Sequence, residues 1–253
     1  DTKGTGKTDQ WGWIGWSPSW MPSWWPLLKG YGGAHLSDTL DQYILNNDAG
    51  VQAVDFMRKT WVDKPPVSPT PAAETQLQSG TTQLFEGGLA AMDNVLSPNV
   101  ISSLDHINSK FEMGIELFPK GPKGTFVRAG GSSMSIPVGA KMPDLAWEVL
   151  RHMIGDEEAN KVAATYLDGN PLVRLDYALK YNVPTGPLHD KMTSIMSDGF
   201  QKYGTVVQYG PVGTYGDICA SNMDKLAAGQ VTAKQCADAI VADANKQLKE
   251  KKA

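Results

Sequence analysis

The chain has 253 residues, 41% of them hydrophobic and 20% charged, with a net charge of −4. That length can bury a sizeable core in one large domain or two small ones. Only Lys249, Lys251 and Lys252 gather as cations, which excludes the basic stripe a nucleic-acid partner demands, and no apolar run approaches the roughly 20 residues that span a bilayer.

Residues 1–10 are polar, with neither an initiator methionine nor the apolar stretch of a signal peptide, as expected of a mature or truncated product. Gly4-Thr5-Gly6-Lys7-Thr8 ends like a phosphate-binding loop. The glycine due five positions before Gly6 is Asp1, however, and no hydrophobic strand leads in, so nucleotide binding is excluded. Residues 11–33 are turn-rich and aromatic and close on Gly32-Gly33. Trp11, Trp13, Trp16, Trp20, Trp24 and Trp25 lie here among glycine, serine and proline. Flat, stiff indole faces in such a setting suit the C–H faces of a sugar ring.

Residues 48–61 are predicted helical, with Val51, Val54, Met57 and Trp61 on one face. Pro65, Pro66, Pro69 and Pro71 then impose an extended surface loop, followed by a helix over 72–86. Strands are expected over 113–118, closed by the turn 119–124, and over 133–138. Asp144 is placed to cap a helix carrying Leu145, Trp147, Leu150 and Ile154, and a further helix over 157–167 stops at Gly169 and Pro171. Helices over 215–227 and 232–251, the latter N-capped by Thr232, flank the turn 228–230. Cys219 and Cys236 are nearly equidistant from that turn, so a helix hairpin would bring them together. The pattern allows a disulfide or two buried thiols. Helices with short, separated strands give an α/β class.

His35, His106, His152 and His189 have no i+3 or i+4 partner, so no metal site is predicted. The serines after Gly130-Gly131 lack the glycine two positions on that a nucleophile elbow requires. A glycosidase would need two carboxylates across a sugar ring; Asp93, after an alanine-rich apolar segment, is the most suggestive.

Three stretches, in order, carry a resemblance: Trp25-Pro26-Leu27-Leu28 with Gly32-Gly33; Phe85-Glu86-Gly87-Gly88-Leu89-Ala90-Ala91-Met92; and Phe118-Pro119-Lys120-Gly121-Pro122 through Gly130-Gly131, Ile136-Pro137 and Ala146-Trp147-Glu148-Val149-Leu150 to Gly169-Asn170-Pro171. Together with the final helix pair around Ala228-Gly229-Gln230-Val231-Thr232, they resemble the extracellular (periplasmic) solute-binding proteins of ABC sugar importers, the maltose-binding-protein-like family. The chain departs from the pattern after Met92, where Val95-Leu96-Ser97-Pro98 stands in place of the family's glycine and aromatic.

The resemblance implies a type II periplasmic-binding-protein fold, mainly its C-terminal lobe plus a returning segment of the N-terminal lobe. By it, 1–124 belong to the C-terminal lobe, 125–168 return to the N-terminal lobe, and 169–253 supply further C-terminal-lobe helices including the terminal hairpin. The N-terminal lobe itself is missing, removed or carried on another chain. The function implied is capture of a sugar, oligosaccharide or polyol between lobes and its delivery to an ABC transporter permease, without catalysis, cofactor or metal. The compartment implied is periplasmic or extracellular, with any membrane anchor in the absent N-terminus.

Trp20 and Trp24 are the expected stacking platforms and Asp93 the acceptor for sugar hydroxyls. Gly130 and Gly131 resemble the family's glycine pair, which lets backbone N–H groups approach a ligand. Arg174 offers a forked donor, and Tyr209 and Tyr215 stand where the family supplies a further aromatic. Two rivals remain open: a carbohydrate-active enzyme or other sugar-binding module, and a structural module using the tryptophans as core.

Overall fold

A computed structural model describes residues 8–77, 84–94, 99–130, 134–166 and 174–252. In chain order the elements are α1 (Trp25–Gly30), α2 (Asp48–Val62), α3 (Pro71–Leu77), α4 (Asn99–Ile107), β1 (Val127–Ala129), α5 (Pro143–Gly155), α6 (Glu157–Tyr166), α7 (Leu175–Tyr181), α8 (His189–Ser194), α9 (Phe200–Tyr203), β2 (Gly204–Val206), α10 (Tyr215–Ala227) and α11 (Ala233–Lys252), with a π-helical turn at Ile195–Gly199. The chain divides into two compact units. The first comprises Asp1–Asn94, Phe118–Arg128 and Thr205–Ala253, the second Val95–Leu117 and Ala129–Gly204.

The first unit is built around α2, α10 and α11. Asn47 caps α2 by accepting from the Gly50 N–H at 2.9 Å. Gly50 has to lack a side chain, because a Cβ there would sit 2.0 Å from the Leu45 carbonyl oxygen. The apolar stripe of α2 faces the core as its spacing predicts: Val54, Met57 and Trp61 are buried and Val51 packs against them. The α10–α11 turn is also as expected. Gly229 takes φ +70 after the last turn of α10, with Gln230 N–H bonded to the Lys225 carbonyl and Gly229 N–H to that of Leu226, a Schellman closure. Thr232 and Gln235 form a reciprocal capping box at the start of α11, at 2.9 and 3.2 Å. Asn245 on α11 then grips Tyr43 on both sides, accepting from its N–H at 2.8 Å and donating to its carbonyl at 3.0 Å.

Cys219 and Cys236 are free thiols, both buried in this hairpin. Burial pushes each up to about 12, so neither supplies the thiolate that disulfide exchange needs. Of the two outcomes left open by the spacing, the structure has the buried thiols rather than the bridge.

The proline-rich loop departs from expectation. Ser68 and Pro69 are buried, and the Val67 carbonyl accepts from the N–H groups of Gly12 and Trp13 at 2.9 and 3.2 Å. Prolines keep the loop extended, but its carbonyls are used by the tryptophan segment instead of water. Short helix α1, with Pro26 in its first turn, lies inside a stretch that composition marks only as turns.

The second unit has a smaller core of Val100, Ala178, Val183, Met192 and Met196. Asn160 in α6 donates to the Ile154 and Asp156 carbonyls at 2.9 and 2.8 Å, satisfying the end of α5. α5 starts one residue before Asp144, at Pro143, so Asp144 sits in its first turn and Met142 at the cap. No residue of α5 is buried: Leu145, Trp147, Val149 and Met153 are all exposed. Residues 113–118 run extended without joining a sheet. β1 and β2, which form a two-stranded sheet, span two of the points where the chain changes unit. Of the other expected features, 133, Gly169, Asn170, Pro171 and the 78–83 part of the second helix lie outside the described residues, as do Gly4-Thr5-Gly6-Lys7 and Val95-Leu96-Ser97-Pro98.

Candidate functional site

The tryptophan segment is held by backbone pairing before any side chain contributes. Trp11 N–H donates to the Leu89 carbonyl and Ile14 N–H to that of Met92, at 2.8 and 3.0 Å, so residues 11–14 run parallel to 90–93. Gly15 follows at φ +103, and a Cβ on it would meet the Asp93 Oδ1 at 2.9 Å and the Asn94 Cβ at 2.8 Å. Glycine therefore lets the Asp93 carboxylate lie against the chain. Burial there pushes Asp93 up to about 6; the nearby Glu86 carboxylate adds to this and the Asn94 backbone N–H opposes it.

Beyond Gly15 the chain makes a stapled loop. Ser23 Oγ accepts from the Ser17 N–H at 3.0 Å and donates to the Ser17 carbonyl at 3.1 Å, while the Asn94 side chain donates to the Ser23 carbonyl. Trp20 is carried in this loop with its ring 41% exposed. The Arg128 guanidinium carbon lies 4.7 Å from the Trp20 ring centroid, a cation–π stack. Tyr209, 71% exposed, stands in the same unit.

The loop rests on α10 through Gly216, where a Cβ would come 2.3 Å from the Ser19 carbonyl oxygen. Gly216→Ala is therefore expected to displace the Trp20 loop. Helix propensity would gain at most about 1 kcal/mol, whereas the overlap is with backbone and costs about 1–3 kcal/mol. A lowered melting temperature with increased acrylamide quenching of tryptophan fluorescence is the expected result; unchanged quenching would contradict it.

The remaining tryptophans divide by burial. Trp16, Trp24 and Trp25 are core, and Trp13 packs on Trp16 at 5.2 Å and on Phe118 at 6.0 Å, edge-on. Trp24 is 0% exposed, so neither face of its indole is open to a ligand. Tyr215 is likewise core, stacked on Tyr43 at 4.7 Å. Both belong to the packing of α1, α2 and α10 rather than to an accessible platform. Arg174 stands in the second unit, exposed but occupied: its fork holds Asp176 at 3.1 and 2.6 Å and its carbon lies 4.2 Å over Tyr177. Gly130 is exposed, and Gly131 lies outside the described residues.

Of the residues singled out from sequence, Trp20 lies against Arg128, and Asp93 is tied to the same loop through Asn94 and Ser23. Arg128 itself was missed. Its signal is a lone charge between Val127 and Ala129, directly before the glycine pair. A surface depression of about 440 Å³ lined by Tyr31, Phe56, Lys59 and Lys234, among others, contains none of the expected site residues.

No protein-family model and no curated protein sequence matches the chain. Solved structures do. An ABC substrate-binding protein from Listeria monocytogenes in complex with cycloalternan superposes with a TM-score of 0.68 at 17% identity, over 96% of this chain and 60% of that one. The maltose/maltodextrin-binding domain MalE from Bdellovibrio bacteriovorus, bound to maltotriose, gives 0.68 at 19% identity over 98% and 63%. Maltose-bound MalE3 of T. maritima gives 0.65 at 16% identity over 96% and 60%. The fold is the periplasmic-binding-protein fold, in part. The chain spans about 60% of the length of those proteins. Its helix-rich units and small open sheet are the portion of the periplasmic-binding-protein fold that it carries.

Proposed function

We propose that the chain is a lobe of a binding protein that captures a carbohydrate, a sugar, oligosaccharide or polyol, in an interlobe cleft and delivers it to the permease of an ABC transporter. The observation that carries this reading is an exposed, stapled Trp20 on a fold whose solved neighbours hold cycloalternan, maltotriose and maltose. An aromatic floor with a few convergent polar groups is what such ligands use. Binding requires no bond to be made or broken, and the neighbours are named as substrate-binding proteins. Trp20, Asp93 and Tyr209 are the proposed contacts. Capture and delivery by such a protein belong in the periplasm or outside the cell; among the described residues no helix is long and apolar enough to cross a membrane.

The absent N-terminal lobe is the second partner in this reading, with 125–168 returning to it. Support comes from α5, whose exposed Leu145, Val149 and Met153 recur every four residues on one side of the helix, an uncovered apolar stripe of the kind that marks a docking face.

The test is a titration of intrinsic tryptophan fluorescence with a panel of neutral sugars, maltodextrins and polyols, on this chain and on the chain joined to an N-terminal lobe. A micromolar ligand corresponds to about 8 kcal/mol, and losing half of that leaves millimolar binding. Tight response of the joined protein with weak response of the chain is expected. No response of either protein to any member would overturn the reading.

A further inference from the structure

Arg128 differs from every other arginine in the chain. Arg58 holds Asp55, Arg151 holds Glu148 and Arg174 holds Asp176, each through a direct ion pair. Arg128, the fourth, is half-buried, and among the described residues no carboxylate pairs with it; its partner is the Trp20 ring. A guanidinium that has lost part of its water normally recovers the cost from an anion. Among the described residues no anion answers it, although the chain carries a net negative charge.

The geometry is held in place from both sides. Arg128 sits in β1, paired to β2, and Trp20 sits in the loop closed by Ser17, Ser23 and Asn94. A guanidinium that stacks on an indole through its flat face keeps its N–H edges free, and a fork of donors there matches two oxygens of a carboxylate or phosphate.

We propose that Arg128, stacked on Trp20, selects an acidic saccharide, taking the carboxylate or phosphate on its guanidinium edge while the sugar ring rests on the exposed part of the Trp20 indole. This rests on the carbohydrate reading and narrows it to ligands bearing an anionic group, a property that the neutral maltotriose held by the Bdellovibrio protein lacks.

The experiment compares two acid–neutral pairs, galacturonic acid with galactose and glucose 6-phosphate with glucose, titrated to millimolar concentrations by fluorescence against the full chain. The preference is read as the affinity ratio within each pair. At least one acid is expected to bind about tenfold tighter than its neutral parent, with a preference that shrinks as salt is raised, and the pair that shows it identifies carboxylate or phosphate as the recognised group. Arg128→Gln is expected to bring that ratio to about one, and Arg128→Lys, which keeps the charge and loses the fork, to an intermediate value. Folding of each variant is checked by its melting curve, and the lysine variant carries the test if the glutamine variant does not fold. Equal affinity for acid and parent, or a preference that survives Arg128→Gln, would overturn the acidic-ligand assignment and leave the carbohydrate reading standing. Failure of all four sugars to bind, in a chain that also ignores maltodextrins and polyols, would overturn both.

Discussion

Trp24→Ala is expected to lower the unfolding free energy by about 3–5 kcal/mol, the usual cost of emptying a large aromatic site in a packed core. Its ring is fully buried in the cluster with Leu28, Val54 and Met57, so there is no collapse of solvent into the vacated space to soften the loss. Against a typical total of 5–15 kcal/mol this is a large share, and the variant should unfold at a much lower urea concentration. Two comparisons sharpen the result. The Trp24 indole N–H forms no hydrogen bond among the described residues, so Trp24→Phe removes a buried unsatisfied donor along with some volume and is expected to cost much less. Trp20→Ala, at an exposed ring, is expected to change stability by under about 1 kcal/mol. Equal midpoints for the Trp20 and Trp24 variants would show that the division between platform and core is misplaced.

Acidification is expected to act through His35. The ring is fully buried, edge-on to Trp25 at 5.5 Å and tilted on Tyr215 at 5.5 Å, and burial lowers its pKa from 6.5 to about 4. The Lys29 charge pushes the same way, and the backbone of Gln208 partly opposes both. The folded pKa lies below the unfolded one, so between pH 6.5 and 4 the unfolded chain takes up a proton that the fold refuses. Stability from this group is therefore complete above pH 6.5 and is lost on the way down to pH 4, by about 3 kcal/mol. Asp93 has the opposite sign: its folded pKa of about 6 exceeds the ordinary 3.8, so the fold gains from protonation as pH falls from 6 toward 3.8. The two nearly cancel in the unsubstituted protein. Paired urea titrations at pH 7 and pH 4 of the protein and His35→Gln isolate the histidine, because every other group is common to both. The variant should gain about 3 kcal/mol relative to its parent between the two pH values; a constant difference would mean that His35 does not titrate against burial.

The helical frame of the first unit could be read from sequence because each end carries its own local signal. The apolar spacing of α2, the Gly229 stop of α10 and the Thr232–Gln235 box of α11 all act within a few residues. The partition of the tryptophans could not be read in that way. Trp20 and Trp24 share residue type and neighbourhood, and the loop that carries Trp20 is held in part by Asn94 and by α10 at Gly216, almost two hundred positions away. The same limit applied to the arginines. Arg174 is attractive in isolation, but Asp176 two residues on occupies its fork, while Arg128 gains its setting from Trp20, far earlier in the chain. The expected strand over 113–118 has suitable residues and an extended backbone, yet a strand exists only with a partner to bond to.

The grip of Asn245 on Tyr43 joins positions 202 residues apart, across the two long insertions that make up the second unit. At a ribosomal rate of 5–20 residues per second, those two ends are synthesised about ten to forty seconds apart. Throughout that interval the tryptophan-rich stretch has left the ribosome without the closing helix that buries its apolar side, and only the early contacts with α2 are available to it.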